Sequence, residues 1–157
     1  MRHVLLVCTG NTCRSPLAEA MLRKKLADRK VEGVQVSSAG TGAWDGAPAS
    51  EGAYLVALEH GVDLSAHRAR LLTRDLVNTA DLVLTMARHH RARVDQLGGE
   101  VPVYLLGEYA GRVGNEAEVR DPFGGDLEGY RETFVELDAM LSGVIERLER
   151  ERQGDRR

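Results

Sequence analysis

The sequence predicts an α/β fold, a single domain with an open, parallel, four-stranded sheet that carries helices on both faces. Four short runs rich in valine and leucine alternate with longer segments of helical pattern. Because these runs are apolar at successive positions, both faces of each strand are expected to be buried, as in parallel sheets that are covered on two sides. The length of 157 residues suits one such domain.

The elements follow one another along the chain with identifiable boundaries. The predicted strands are residues 3–8, 34–39, 81–86 and 101–107, and the predicted helices are residues 15–30, 48–61, 73–80, 88–99 and 127 onward. Ser15 and Pro16 are typical N-cap and N1 residues for the first helix. Gly61 is expected to close the second helix, and Thr73 to cap the third. Residues 107–126 are predicted to form a long loop, and loops of this length in compact domains are usually functional.

Composition excludes several classes of protein. The net charge of −3 gives no basic footprint for nucleic acid. No apolar run approaches the roughly 20 residues that span a bilayer, and the run at residues 4–7 is too short for a secretory signal. We therefore expect a cytoplasmic protein that binds neither nucleic acid nor membrane. We also expect it to be a monomer. Its domain is predicted to cover residues 1–152, with a frayed tail over residues 153–157.

The loop between the first strand and the first helix has the sequence "CTGNTCRS", residues 8–15. It leaves the carboxyl end of a strand, where open parallel sheets bind their ligands. Backbone N–H groups in front of a helix, together with the positive end of the helix dipole, form a nest for an anion. Gly10 is expected to allow the tight turn, and the planar guanidinium of Arg14 suits two oxygens of a phosphate. The predicted phosphate-binding residues are Thr9, Gly10, Asn11, Thr12, Cys13 and Arg14.

Cys8 lies at the base of this nest. Cysteines are often small buried hydrophobes, but the position between a strand and a helix start favours a chemical role. A helix N-terminus and a neighbouring cation favour the thiolate form of a cysteine. A thiolate beside an oxyanion nest suits nucleophilic attack on phosphorus.

Displacement at phosphorus also needs a general acid for the leaving group. The long loop contains "RDPFGGD", in which Asp121 precedes Pro122. The proline stiffens the backbone and keeps the preceding residue extended. Taken alone the segment is typical of a turn. Combined with a thiolate and an anion nest, it makes Asp121 the best candidate for the acid.

The segment "VCTGNTCRSPLAEA" with the distal "DPFGG" resembles the low-molecular-weight protein tyrosine phosphatase family. The resemblance covers nearly the whole chain, including "SSAG" after the second strand and "HRAR" after the second helix. It implies hydrolysis through a cysteinyl-phosphate, with Cys8 as nucleophile, Arg14 as phosphate clamp and Asp121 as general acid. It also implies a supporting hydrogen-bond network of Asn11, Ser15, Ser38 and His67, in which Ser15 donates to the Cys8 thiolate.

Thr12 is where the chain departs from the tyrosine-directed members. Those commonly carry an aliphatic β-branched residue at this position, and the pattern "CTGNTCRSP" is similar to the bacterial protein arginine phosphatases of the same family. A hydroxyl can accept a hydrogen bond from a guanidinium, which an aliphatic group would leave unpaired at a cost of about 1–3 kcal/mol. Phosphoarginine is therefore the predicted substrate group, and phosphotyrosine is the alternative. Trp44 and Phe123 are predicted to flank the substrate side chain and suit either a guanidinium or a phenol ring.

Other classes share parts of this pattern. An arsenate reductase would need further redox cysteines, and no cysteine follows Cys13. A phosphocarrier module remains an alternative, although it has no need for Arg14 or Asp121. A redox sensor is a further alternative, because Cys8 and Cys13 lie five residues apart on one loop. We interpret a disulfide between them as protection of Cys8 from irreversible oxidation.

No cofactor and no metal are expected, because the five histidines lack the spacing of metal ligands. His89 and His90 are adjacent on a predicted exposed helix, and both side chains are expected to be solvated. The expected partners are phosphorylated proteins.

Overall fold

The computed structural model describes residues 2–155 of the chain. The strands are β1 (Arg2–Cys8), β2 (Val34–Gly40), β3 (Leu82–Thr85) and β4 (Val103–Leu105). The helices are α1 (Arg14–Asp28), α2 (Glu51–Glu59), α3 (Arg74–Thr79), α4 (Arg88–Leu97), α5 (Leu106–Tyr109) and α6 (Leu127–Asp155), with a 3₁₀ turn at Gly114–Ala117 between the last two.

All strand pairs are parallel, and the strand order is β2-β1-β3-β4. Strand β1 is internal, and its last five residues are buried. One apolar cluster lies between the sheet and helices α1, α2, α5 and α6, and a second lies between the sheet and helices α3 and α4. The predicted fold class is confirmed. No helix within residues 2–155 combines the length and the apolar character that crossing a bilayer requires.

The start of α1 differs from the prediction. The helix begins at Arg14 and its N-cap residue is Cys13, so the assignment of Ser15 as N-cap is wrong. The hydroxyl of Ser15 instead contacts Cys8 Sγ at 2.8 Å and accepts from Asn11 Nδ2 at 2.7 Å. Ser50 and Thr73 are side-chain N-caps of α2 and α3, the second as predicted.

The second half of the chain is more helical than predicted. Strand β4 ends at Leu105, and the next residues turn into α5, where the Glu108 carboxylate accepts from the Leu105 N–H at 2.9 Å. The segment predicted as a continuous loop therefore includes the end of α5 and the 3₁₀ turn. Helix α6 continues to Asp155, three residues into the segment predicted to fray, and residues 156 and 157 lie outside the described residues.

Candidate active site

The β1–α1 loop, residues 8–14, is fastened to its surroundings through its carbonyl oxygens. Four of them accept hydrogen bonds from outside the loop at 2.6–2.9 Å: Cys8 from Thr41 N–H, Thr9 from Gly42 N–H, Asn11 from the His67 ring and Thr12 from Ser50 N–H. These donors belong to the segments that follow β2 and precede α2, together with the turn before α3. The loop is thus held from its outer side by chain that is remote in sequence.

The backbone N–H groups of the same loop are left on its inner side. Within residues 2–155, no protein group accepts a hydrogen bond from the N–H groups of residues 10–13. Asn11 adopts the left-handed conformation, with φ of 56°. A left-handed residue in a turn of this kind directs successive N–H groups into one concavity, which is the geometry of an anion nest. The expected special conformation is therefore at Asn11 and not at Gly10.

A cavity of about 230 Å³ lies inside the loop. Its lining residues are Cys8, Thr9, Gly10, Thr12, Cys13, Arg14, Asp121 and Phe123. The structure thus brings together the loop and the distal "DPF" segment that sequence analysis had paired. Trp44 is not among these lining residues, and its side chain is 85% exposed, so the predicted pairing of Trp44 with Phe123 across the cavity is not observed.

The side chain of Asn11 organises the base of the cavity. It is fully buried, and its Nδ2 donates to Ser15 Oγ at 2.7 Å and to Ser38 Oγ at 2.9 Å. Its Oδ1 accepts from the Arg70 N–H at 2.9 Å. Because a backbone N–H can only donate, this contact fixes the orientation of the amide. Ser15 therefore accepts from Asn11 and keeps its proton for Cys8 Sγ, 2.8 Å away.

Arg14 connects the loop to the segment that carries Asp121. The guanidinium is buried, its Nη1 donates to the Val119 carbonyl at 3.1 Å, and its Nη2 lies 3.6 Å from Asp121 Oδ2. The Val119 N–H donates to the carbonyl of Met86, just after β3, at 2.8 Å. The Asp121 carboxylate itself is half exposed and accepts from the Phe123 N–H at 3.0 Å. The carboxylate is thus held over the cavity by contacts to Arg14 and to the Phe123 backbone.

Cys13 has a separate environment that sequence analysis missed. Its Sγ donates to Ser50 Oγ at 3.2 Å and lies 3.6 Å from the hydroxyl of Tyr130 on α6. Burial raises the pKa of Tyr130. A Cβ at Gly52 would overlap the Tyr130 ring, so this glycine admits the ring against α2. The Ser50 cap position was the only local signal for this contact.

His90 is a second residue whose position was not predicted. The expectation of a solvated side chain is wrong, because His90 is fully buried while His89 is exposed. Its Nδ1 accepts from the Ala87 N–H at 3.1 Å, and its Nε2 lies 2.8 Å from Thr9 Oγ1. The available signal was its place five residues after the end of β3, at the edge of the sheet that faces the site.

Comparison with known proteins gives the site its context. The sequence matches the family described as "Low molecular weight phosphotyrosine protein phosphatase" over residues 3–154. The chain belongs to this family. It is therefore a cysteine-based phosphoprotein phosphatase, as the resemblance implied.

Relatives of this phosphatase carry two substrate names. A protein-arginine-phosphatase of Geobacillus stearothermophilus is 36% identical over 151 residues, which cover 95% of this chain and 97% of the relative. Low molecular weight protein-tyrosine phosphatase A of Mycobacterium tuberculosis is 40% identical over 156 residues, which cover 94% of each.

Solved structures of the family superpose closely on this phosphatase. A mutant YwlE arginine phosphatase with a phosphorylated active-site serine gives a TM-score of 0.87 at 36% identity, covering 96% of this chain and 98% of that one. A low molecular weight protein tyrosine phosphatase from T. tengcongensis gives a TM-score of 0.86 at 38% identity, covering 93% and 99%.

Gly40, the last residue of β2, is expected to be intolerant of any side chain. A Cβ there would overlap the Thr9 carbonyl oxygen and lie 2.8 Å from the Asn11 backbone nitrogen, so Gly40→Ala displaces the loop. We expect a loss of about 100-fold in kcat/KM, because misplacement by about 1 Å is enough for that effect. The measurement is steady-state hydrolysis of an aryl phosphate.

The matched control for this prediction is Gly42→Ala. Its Cβ would come no nearer than 4.0 Å to the loop, at Thr9 Cγ2, and should leave activity close to that of the wild type. Equal losses in the two variants would contradict the close-approach argument.

Proposed function

We propose that the protein hydrolyses phosphoarginine in proteins through a cysteinyl-phosphate intermediate. The observation that carries this proposal is the arrangement of the β1–α1 loop around Cys8 Sγ and the buried Arg14. The carbonyl oxygens of the loop accept hydrogen bonds from the surrounding chain, and its N–H groups are left on the inner side. Such an arrangement stabilises the equatorial oxygens of a transferring phosphoryl group without reorganisation during the reaction. Cys8 is the proposed nucleophile, Arg14 the clamp and Asp121 the general acid.

The proposed reaction has two displacements. In the first, the Cys8 thiolate attacks phosphorus and the P–N bond breaks, while Asp121 transfers its proton to the departing guanidine nitrogen. In the second, water attacks the cysteinyl-phosphate, Asp121 takes a proton from that water, and the S–P bond breaks to release inorganic phosphate. Ser15 donates to the Cys8 thiolate before the first step and after the second, when sulfur carries the negative charge.

The preference for arginine rests on Thr12. Its side chain is half-buried and lines the cavity together with Cys8 and Asp121. A hydroxyl at this position accepts a guanidinium N–H that an aliphatic side chain would leave unpaired. Relatives named for arginine and for tyrosine match the chain at similar identity, so the argument depends on this pocket residue alone.

Phosphotyrosine is the second candidate substrate group. Phe123 lines the cavity with 73% of its surface exposed. A phenol ring can stack on this side chain as well as a guanidinium can. The substrate comparison below therefore includes both groups.

We expect Asp121→Asn to slow turnover by about 10²–10⁴-fold, the usual contribution of general acid–base catalysis. The loss should be smaller for aryl phosphates with very good leaving groups, because these depart without a proton. The measurement is kcat over a series of aryl phosphates with increasing leaving-group pKa. A uniform loss over the series would assign Asp121 a structural role.

Two further variants serve as controls for that measurement. Cys8→Ser should abolish turnover, and full activity in it would exclude the cysteinyl-phosphate route. Asp95→Asn, at an exposed position on α4, controls for the same chemical change away from the cavity and should behave as wild type.

We expect wild-type protein to prefer phosphoarginine peptides, and Thr12→Ile to reverse this preference. The substitution retains the β-branch and removes the hydroxyl, so backbone preference changes little. The ratio of kcat/KM for phosphoarginine to kcat/KM for phosphotyrosine should fall by a factor that corresponds to at least about 1–3 kcal/mol in relative transition-state free energy. The measurement is kcat/KM on matched peptides that carry phosphoarginine or phosphotyrosine.

Thr12→Ser is the control for that reversal, because it retains the hydroxyl and should retain the arginine preference. Wild-type preference for phosphotyrosine, or equal changes in both activities for Thr12→Ile, would replace the arginine assignment by the tyrosine one.

We propose that mild peroxide inactivates the protein reversibly through a Cys8–Cys13 disulfide. Cys8 and Cys13 are both lining residues of one cavity, although the Cys13 thiol must leave Ser50 to reach Cys8. Peroxide oxidises the Cys8 thiolate to the sulfenic acid, and the Cys13 sulfur then displaces its oxygen as water. Peptide mass spectrometry should find the linked pair, and Cys13→Ala should recover less activity with added thiol. Recovery of Cys13→Ala equal to that of the wild type would refute the protective role.

A further inference from the structure

His90 is a buried titratable side chain that the proposed mechanism does not use. It is the third residue of α4 and lies beneath Thr9, which forms one side of the cavity. Histidines are seldom fully buried, so the partners of its two ring nitrogens need an explanation. Those partners determine which ring nitrogen carries the proton.

The position of the His90 proton follows from its first partner. The Ala87 backbone N–H can only donate, so Nδ1, 3.1 Å from it, must be the acceptor. Burial and then the nearby charge of Arg14 lower the pKa of His90 to about 3, so the ring is neutral at neutral pH. The single ring proton is therefore on Nε2, which donates to Thr9 Oγ1 at 2.8 Å.

The hydrogen bond from His90 Nε2 determines which hydrogen bonds the Thr9 hydroxyl can form. Because its hydroxyl oxygen accepts from His90, the hydroxyl proton cannot be directed at His90 and is available to another acceptor. Thr9 is exposed and lines the same cavity as Cys8 and Arg14. Its methyl group lies on the side of Gly42, where a Cβ would be 4.0 Å from Thr9 Cγ2. The hydroxyl proton is therefore available to an acceptor inside the cavity that Thr9 lines.

We propose that the Thr9 hydroxyl donates a hydrogen bond to the phosphoryl group of the substrate, and that His90 is a positioning residue that sets the direction of this donor. The proposal rests on the proposed location of the phosphoryl group above Cys8. It adds a side-chain donor to the backbone N–H groups of the loop. It also gives α4, which is remote from the loop in sequence, a role in phosphate binding.

Two variants of His90 separate positioning from structural support. In His90→Asn, the amide oxygen takes the place of Nδ1 and retains the bond from Ala87 N–H, but the side chain is too short to reach Thr9. In His90→Gln, the amide nitrogen takes the place of Nε2 and retains the donor to Thr9, while the bond from Ala87 is lost. A positioning role requires higher activity in His90→Gln, and a purely structural role requires it in His90→Asn.

The experiment measures hydrolysis of p-nitrophenyl phosphate, whose use makes the result independent of the arginine or tyrosine preference. We expect Thr9→Val to lower kcat/KM by about 10- to 100-fold, since bonds to charged groups contribute in that range, and Thr9→Ser to restore most of it. The inhibition constant of inorganic phosphate should rise in Thr9→Val and in His90→Asn. In the double variant Thr9→Val/His90→Asn, the losses of kcat/KM seen in the two single variants should not add, because His90 acts through Thr9.

The outcomes are distinct. Unchanged phosphate inhibition in Thr9→Val, additive losses in the double variant, or greater activity in His90→Asn than in His90→Gln would overturn the proposal. Asp95→Asn, on the same helix but exposed, should match wild type. If Cys8→Ser remains active, the proposed phosphoryl site itself has failed. If Cys8→Ser is inactive and Thr9→Val is not impaired, only the role of Thr9 has failed.

Discussion

The site depends on the burial of one amide side chain in a left-handed turn. Asn11 is a non-glycine residue at φ 56°, a conformation that L side chains rarely adopt. It is retained because the amide joins Ser15, Ser38 and the Arg70 backbone. A glycine would relieve the backbone at this position but would release all three contacts. Asparagine is among the few residues that meet both requirements.

Sheet topology explains why remote segments can hold this loop. Strand β1 lies between β2 and β3, so the chain that leaves its carboxyl end meets the ends of both neighbours. The end of β2 supplies the glycine that lets the loop approach, and the segment after β3 supplies the contact to Val119. The segment that bears Asp121 is therefore fixed relative to the loop through the sheet. Fastening of both segments by backbone groups makes their geometry largely independent of side chains at the surface.

The sequence predicted the features that depend on local pattern. The β1–α1 loop and the short strands follow from motifs and strand–helix alternation, whereas Asp121 was associated with the loop only through the chemistry that displacement at phosphorus requires. The predictions that were wrong concerned residues whose hydrogen-bond partners depend on tertiary contacts. Ser15 resembled a helix cap, but its hydroxyl has partners in the loop, and His90 resembled a solvated residue, but the fold buries it under Thr9.

Tyr130 shows the same limit of a local pattern. The sequence around Tyr130 did not indicate its contact with Cys13, because that contact joins residues on different elements. That contact also depends on the absence of a side chain at Gly52. Neither α2 nor α6, considered alone, carries information about the other. Contacts of this kind require the packed structure.

The inward N–H groups of the loop have a consequence for the balance between stability and activity. Backbone donors without protein partners lower the free energy of unfolding, and so does the conformation of Asn11. These costs are incurred once, during folding, and the buried sheet offsets them. In the function proposed above, an anion that enters the loop satisfies donors that are already oriented, so little of its binding energy is used to order the protein. Substitutions that relax the loop should accordingly stabilise the protein and weaken its catalysis, the opposite of what core substitutions do.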